Sequence, residues 1–183
     1  RGCSRFEREP GLSQCASLES IDLTDCEEVK GELNISNFRN LKVVRLQQTE
    51  ISLTGDMGKL QKLEEIKTGK LAWGAEKEVP MLPTSLKRLT ISSPRVPNIL
   101  ELKDLEELCF ENFREAPEIP GDIWKLPKLK TLKMLKCSCE GSLLLNHDGA
   151  LPSSLTCLVV DWTGGLTRLP NLGNLINLME LRL

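Results

Sequence analysis

Eight copies of one short phrase, Leu-x-x-Leu-x-Leu with like-for-like replacements, run through the 183 residues. They begin at Leu18, Leu41, Leu63, Leu86, Leu105, Leu129, Leu155 and Leu178, in steps of 23, 22, 23, 19, 24, 26 and 23. A steady period in this range sets the architecture before any single element is considered. Within each copy, as in Leu41-Lys-Val-Val44-Arg-Leu46 or Leu86-Lys-Arg-Leu89-Thr-Ile91, apolar and variable residues alternate. The apolar pair therefore points one way and the variable residues the other, as a strand requires. One such unit is too small to bury its own apolar side, whereas units stacked in parallel bury a continuous core.

The pattern predicts a leucine-rich repeat solenoid of the α/β type, with a curved parallel sheet on the concave face. Returning segments close each coil on the convex face. Those segments carry Leu82-Pro-Thr-Ser, Ile119-Pro-Gly-Asp and Leu151-Pro-Ser-Ser, which suit irregular loops; Met57-Gly-Lys-Leu60 and Ile123-Trp-Lys-Leu126 have helical spacing, for one or two turns each. Beyond each strand the repeat calls for Asn, Cys or Thr at a buried turn, and the residues there are Cys26, Thr49, Leu71, Pro94, Phe113, Cys137 and Thr163. Leu71, Pro94 and Phe113 predict distorted turns in the middle repeats. All of 1–183 reads as a single domain of about eight repeats. Because Leu181-Arg-Leu183 stops within a repeat and without a polar cap, it is expected to belong to a longer array.

A formal net charge of −2 supplies no field for a polyanion, and no block of like charge suggests nucleic-acid or membrane binding. No apolar stretch approaches the length of a membrane span, and RGCSRFEREP at the N-terminus lacks the apolar run of a secretory signal. Seven cysteines, an odd number without paired spacing, fit reduced thiols inside a cell better than a disulfide framework.

Several local motifs favour structural readings. Gly55-Asp-Met-Gly-Lys59 lacks the spacing and the hydroxyl of a phosphate-binding loop. Cys137, Cys139, His147 and Cys157 lack the paired spacing of a structural zinc site. His147-Asp148 has no identifiable nucleophile. No catalytic, cofactor-binding or metal-binding residue is expected, and the chain reads as a non-enzyme. Asn34-Ile-Ser36 is a lone glycosylation acceptor and reads as incidental.

Aligning the repeats sorts the variable strand residues into rows. One row is Ser20, Val43, Glu65, Arg88, Glu107, Thr131, Cys157 and Glu180; the next is Asp22, Arg45, Lys67, Thr90, Cys109, Lys133, Val159 and Arg182. A third is Thr24, Gln47, Gly69, Ser92, Glu111, Leu135 and Asp161. Neighbours in a row stand about 4.8 Å apart, so Glu65, Arg88 and Glu107 are expected to form a charge ladder. The candidate protein-binding residues are Arg45, Lys67, Arg88, Glu107, Lys133, Leu135, Val159, Asp161 and Trp162. Leu135, Val159 and Trp162 are apolar on or beside a face expected to be wet, which points to the stretch from Lys133 to Trp162.

The phrases Cys15-Ala-Ser-Leu-Glu-Ser-Ile-Asp-Leu-Thr-Asp-Cys26, Leu82-Pro-Thr-Ser-Leu-Lys-Arg-Leu89, Leu151-Pro-Ser-Ser-Leu-Thr-Cys-Leu158 and Leu169-Pro-Asn-Leu-Gly-Asn-Leu175 cover nearly the whole chain. In them it resembles the leucine-rich repeat region of plant intracellular nucleotide-binding immune receptors, especially those with a TIR domain. The resemblance implies an effector-sensing and autoinhibitory role in defence, in the cytoplasm or nucleus. It also implies protein partners: a pathogen effector, a guarded host protein, or the receptor's own nucleotide-binding domain. Two other readings are the substrate-recruiting array of an F-box ubiquitin ligase subunit and the ectodomain of a cell-surface receptor.

Overall fold

The computed structural model describes residues 12, 15–70, 72–73, 80–93, 95–113, 125–137, 151–162 and 172–183, with Trp162 described in its backbone alone. Each repeat contributes one strand to an eight-stranded parallel sheet. The strands are β1 (Ser20–Asp22), β3 (Val43–Arg45), β5 (Glu65–Lys67), β6 (Arg88–Ile91), β7 (Glu107–Glu111), β8 (Thr131–Cys137), β9 (Cys157–Trp162) and β10 (Glu180–Arg182), in that order. The register follows the repeat without a slip at its first two rows: Ser20, Val43, Glu65, Arg88, Glu107, Thr131, Cys157 and Glu180 are successive partners. The side-chain period of two explains why, since a slip of one residue would turn every leucine outward. The inward residues Val44, Ile66, Leu89, Leu108, Leu132 and Leu158 are at most 1% exposed.

Two sets of backbone bonds lock the coils. Every repeat's first leucine closes a tight turn onto the carbonyl three residues earlier, as in Leu63 N–H to Leu60, Leu86 N–H to Pro83 and Leu155 N–H to Pro152. The following residue then donates to its counterpart in the preceding coil: Lys42 to Glu19, Glu64 to Lys42, Lys87 to Glu64, Glu106 to Lys87, Lys130 to Glu106, Thr156 to Lys130 and Met179 to Thr156, each at 2.8–2.9 Å. The two Leu-Pro-x-Ser phrases have a further use. Ser85 Oγ donates to the Leu63 carbonyl at 2.8 Å, and Ser154 Oγ to that of Leu129 at 2.7 Å. Equivalent serines thus tie equivalent coils together.

The returning segments differ in part from the sequence expectation of loops and helical turns. In the first two coils they form strands, β2 (Lys30–Asn34) and β4 (Glu50–Thr54), which pair in parallel as a second, two-stranded sheet. Leu33, Ile51 and Leu53 alternate into the core there. Met57–Lys59 is an expected helical turn, a single one of 3-10 type, with Asp56 as its N-cap accepting from Gly58 N–H. Ile123 and Trp124 lie outside the described residues.

At the turn after the strand, Asp25, Gln48, Asn112 and Lys136 are left-handed, with φ of 60°, 64°, 61° and 53°. They sit at one repeat position, immediately before Cys26, Thr49, Phe113 and Cys137. The expected distortion at Phe113 is therefore absent; its ring instead packs edge-to-face on Phe110, centroids 5.7 Å apart. Lys70 and Ser93, at the same place before Leu71 and Pro94, are not among the left-handed residues. Ser92 N–H there bonds the Thr68 hydroxyl at 2.9 Å, which satisfies a buried Thr standing where other repeats have an apolar side chain. Leu71, Pro94 and Thr163 themselves lie outside the described residues.

Candidate functional site

The variable residues of the eight-stranded sheet form one continuous face, and its centre holds a network of charges. Glu65 is 3% exposed although it points to the variable side of β5. Arg45 Nε donates to one carboxylate oxygen at 2.6 Å and Arg88 Nε to the other at 2.8 Å. Lys67 Nζ lies 3.9 Å away, and Arg45 reaches on to Asp22 at 3.3 Å. Burial by itself would raise the Glu65 carboxyl, but the two guanidinium hydrogen bonds and the nearby cations outweigh it and hold the group below its ordinary value. The hydrogen bond to Glu65 in turn raises both arginines.

This differs from the expected ladder. Arg88 pairs with Glu65, and the chain of charges runs toward Asp22, while Glu107 makes no ion pair among the described residues. Glu107 instead lines an open depression of about 180 Å³ together with Gln47, Lys67, Arg88, Thr90, Cys109, Glu111, Thr131, Lys133 and Leu135, over the backs of Leu89 and Leu108. Gln47 Nε2 donates to Glu111 Oε2 at 3.4 Å. Their strands are three ladder steps apart in the sheet, roughly 14 Å at the usual spacing. The two side chains meet above Gly69 and Ser92, as a face that curves inward brings them.

Of the nine candidate residues, Lys67, Arg88, Glu107, Lys133 and Leu135 line the depression, and Arg45 adjoins it through Glu65. Val159 is a correction: it is 5% exposed rather than an accessible apolar contact. Its register neighbours are Lys133 and Arg182, whose long stems flank it on both sides. Asp161 is exposed at the end of β9, and Trp162 pairs in register with Cys137, its side chain lying outside the described residues. The depression lies toward the middle of the sheet, and Lys133 and Leu135 are the residues of the described part of Lys133–Trp162 that line it.

Sequence rows named Gln47, Thr90, Cys109 and Glu111 without singling them out. A fourth row went unread: Glu19, Lys42, Glu64, Lys87, Glu106 and Lys130 alternate in sign at the strand entrances. They pair as Lys42–Glu19 at 2.7 Å, Lys87–Glu64 at 2.9 Å and Lys130–Glu106 at 3.0 Å. These pairs are exposed and worth little each.

Burial, with the charge of Glu111 second, pushes the Cys109 thiol up to about 12, so it is no nucleophile. Cys15, Cys26, Cys109, Cys137 and Cys157 are thiols. No group of three or more metal-ligating side chains occurs among the described residues; Cys139, His147 and Asp148 lie outside them. Lys59, of the loop resembling a phosphate binder, pairs with Asp56 at 2.8 Å. Asn34 Oδ1 accepts from Ser36 N–H and Oγ at 3.0 and 2.7 Å, so the glycosylation motif also shapes a local turn. No helix among the described residues is long and apolar enough to cross a membrane.

Fold and face together define a class: a leucine-rich-repeat-type parallel solenoid with almost no helix, presenting a patterned sheet face. No protein-family profile matches the chain. Over 155 residues it is 25% identical to disease resistance protein RPP5 of Arabidopsis thaliana, covering 70% of this chain and 11% of that protein. The chain therefore spans about a ninth of the length of this plant relative.

Proposed function

We propose that this chain is the effector-sensing and autoinhibitory repeat region of a plant intracellular nucleotide-binding immune receptor of the TIR type. It acts without catalysis of its own, in the cytoplasm or nucleus. Its partner is a protein: a pathogen effector, a guarded host protein, or the receptor's own nucleotide-binding domain. The similarity to a disease resistance protein and the shape of a solenoid support the setting. The observation that carries the reading is the central depression, in which charged and polar side chains from five coils converge over the strand backbone at Leu89 and Leu108. Scattered polar rims around a concave patch are how protein interfaces combine affinity with selectivity.

The test uses the full chain expressed in leaf tissue with a photo-crosslinking residue at Thr131, inside the depression, or at Lys30, on the opposite sheet. The Thr131 probe is expected to capture a discrete polypeptide, or a peptide from elsewhere in the receptor, that the Lys30 probe does not. Equal background from both positions would overturn the proposal.

A further inference from the structure

Arg88 is the residue whose arrangement says most about what the depression recognises. Its Nε is committed to Glu65, while its two terminal nitrogens make no hydrogen bond among the described residues. Glu65, itself nearly sealed from solvent, therefore fixes the guanidinium by its inner edge and leaves the outer edge facing the depression that Arg88 lines. Lys67 lies diagonally across the same strand pair, since Glu65 partners Arg88 and Lys67 partners Thr90. From the strand spacing and a two-residue rise, such positions are about 8 Å apart, close enough for two long side chains to share one ligand group. Thr90, the register partner of Lys67, lines the depression with them.

Resting on the protein-binding reading above, we propose that Arg88 and Lys67 form the receptor for one carboxylate, an aspartate or glutamate side chain of the protein partner, with Glu65 as the positioning residue. The planar edge of an arginine matches the two oxygens of a carboxylate, and a lysine beside it adds charge without demanding geometry. A phosphate would also suit an arginine, but Glu107, the register partner of Arg88 on the next strand, and Glu111 line the same depression. Their negative charge is tolerable for a monoanion and disfavours a dianion.

The peptide acetyl-Gly-Gly-Glu-Gly-Gly-amide, its Gln counterpart and inorganic phosphate are titrated separately into the isotopically labelled chain. The Arg45 and Arg88 Nε–H signals, held by Glu65, serve as reporters. The Glu peptide should move the Arg88 signal and the Thr90 amide saturably, and the Gln peptide should act at least about tenfold more weakly. The Thr90 response should vanish in Arg88→Gln, and both responses in Lys67→Gln. An undisturbed Arg88 signal with the Glu peptide, or a response to phosphate as strong as to the peptide, would refute the assignment. Glu65→Gln should weaken the peptide response and broaden the Arg45 signal as well, at temperatures where circular dichroism shows the fold intact; an unchanged response would remove Glu65 from its role. In leaf tissue, a Thr131 crosslink that persists undiminished in the Arg88→Gln, Lys67→Gln double variant would sink this inference while leaving the protein-binding reading standing.

Discussion

Replacing Glu65 by Gln tests whether the central network stabilises the solenoid as well as ordering the face. Glu65 offers two acceptor oxygens, one to Arg45 and one to Arg88. Glutamine keeps one acceptor, and its amide NH₂ then meets a guanidinium N–H, donor against donor. A hydrogen bond to a charged group contributes about 1.5–3 kcal/mol. Arg45 and Arg88 are 37% and 39% exposed, so a released guanidinium turns to water and the loss falls at the low end, about 1.5 kcal/mol. For a chain of this size each kcal/mol moves Tm by roughly 2–4 °C, which gives a fall of about 3–6 °C at neutral pH by circular dichroism. The pH dependence has a definite sign. The Glu65 carboxyl titrates lower folded than its ordinary value of 4.5, so its contribution is present above that value and is lost as pH falls through the folded one. The Tm gap between wild type and variant should therefore be full at neutral pH and narrow below about pH 4.5. Equal melting temperatures at pH 7, or a gap that widens on acidification, would refute the reasoning.

Gly69→Ala should be among the most damaging small changes, because an added Cβ would stand 2.5 Å from the Thr49 carbonyl oxygen and 2.7 Å from that of Leu46. A loss of about 1–3 kcal/mol is expected from such overpacking against backbone, read as a lower urea midpoint. Ser154→Ala and Ser85→Ala each remove a hydroxyl donor to the preceding coil and should cost about 1 kcal/mol each. Being far apart, their effects should add within about 0.5 kcal/mol; strong coupling would contradict the local role given to these serines. The Cys109 thiol, pushed up to about 12, should resist iodoacetamide at neutral pH while the exposed Cys15 is alkylated. Equal labelling by mass spectrometry would contradict the raised thiol.

The strand register was legible in the sequence because the leucine phrase marks both the face and the phase of every strand. Eight phrase starts became eight strands with partners at the expected positions. The strands β2 and β4 were not read, since Gly31 and the Thr and Ser around Ile51 and Leu53 give only short alternation, and their pairing depends on two coils being stacked. The turn three residues before each first leucine was readable in principle: Phe38, Leu60, Leu102 and Leu126 recur there, all at most 1% exposed. Side-chain fate on the open face was the least legible. Residues there are neighbours across coils rather than along the chain, so the burial of Glu65 follows from Arg45 and Arg88 lying 20 and 23 residues away. The burial of Val159 likewise follows from its neighbours, and repeat alignment identifies those neighbours without saying how far their side chains lean.

The proposed function puts the meeting place with a partner protein at the centre of the sheet. A scan along one register row, with the photo-crosslinking residue placed in turn at Ser20, Val43, Glu65, Arg88, Glu107, Thr131, Cys157 and Glu180 in the full chain, measures this directly. Capture should peak at Glu107 and Thr131, whose side chains line the depression, and fall toward Ser20 and Glu180. A flat profile, or a maximum at either end of the row, would contradict it.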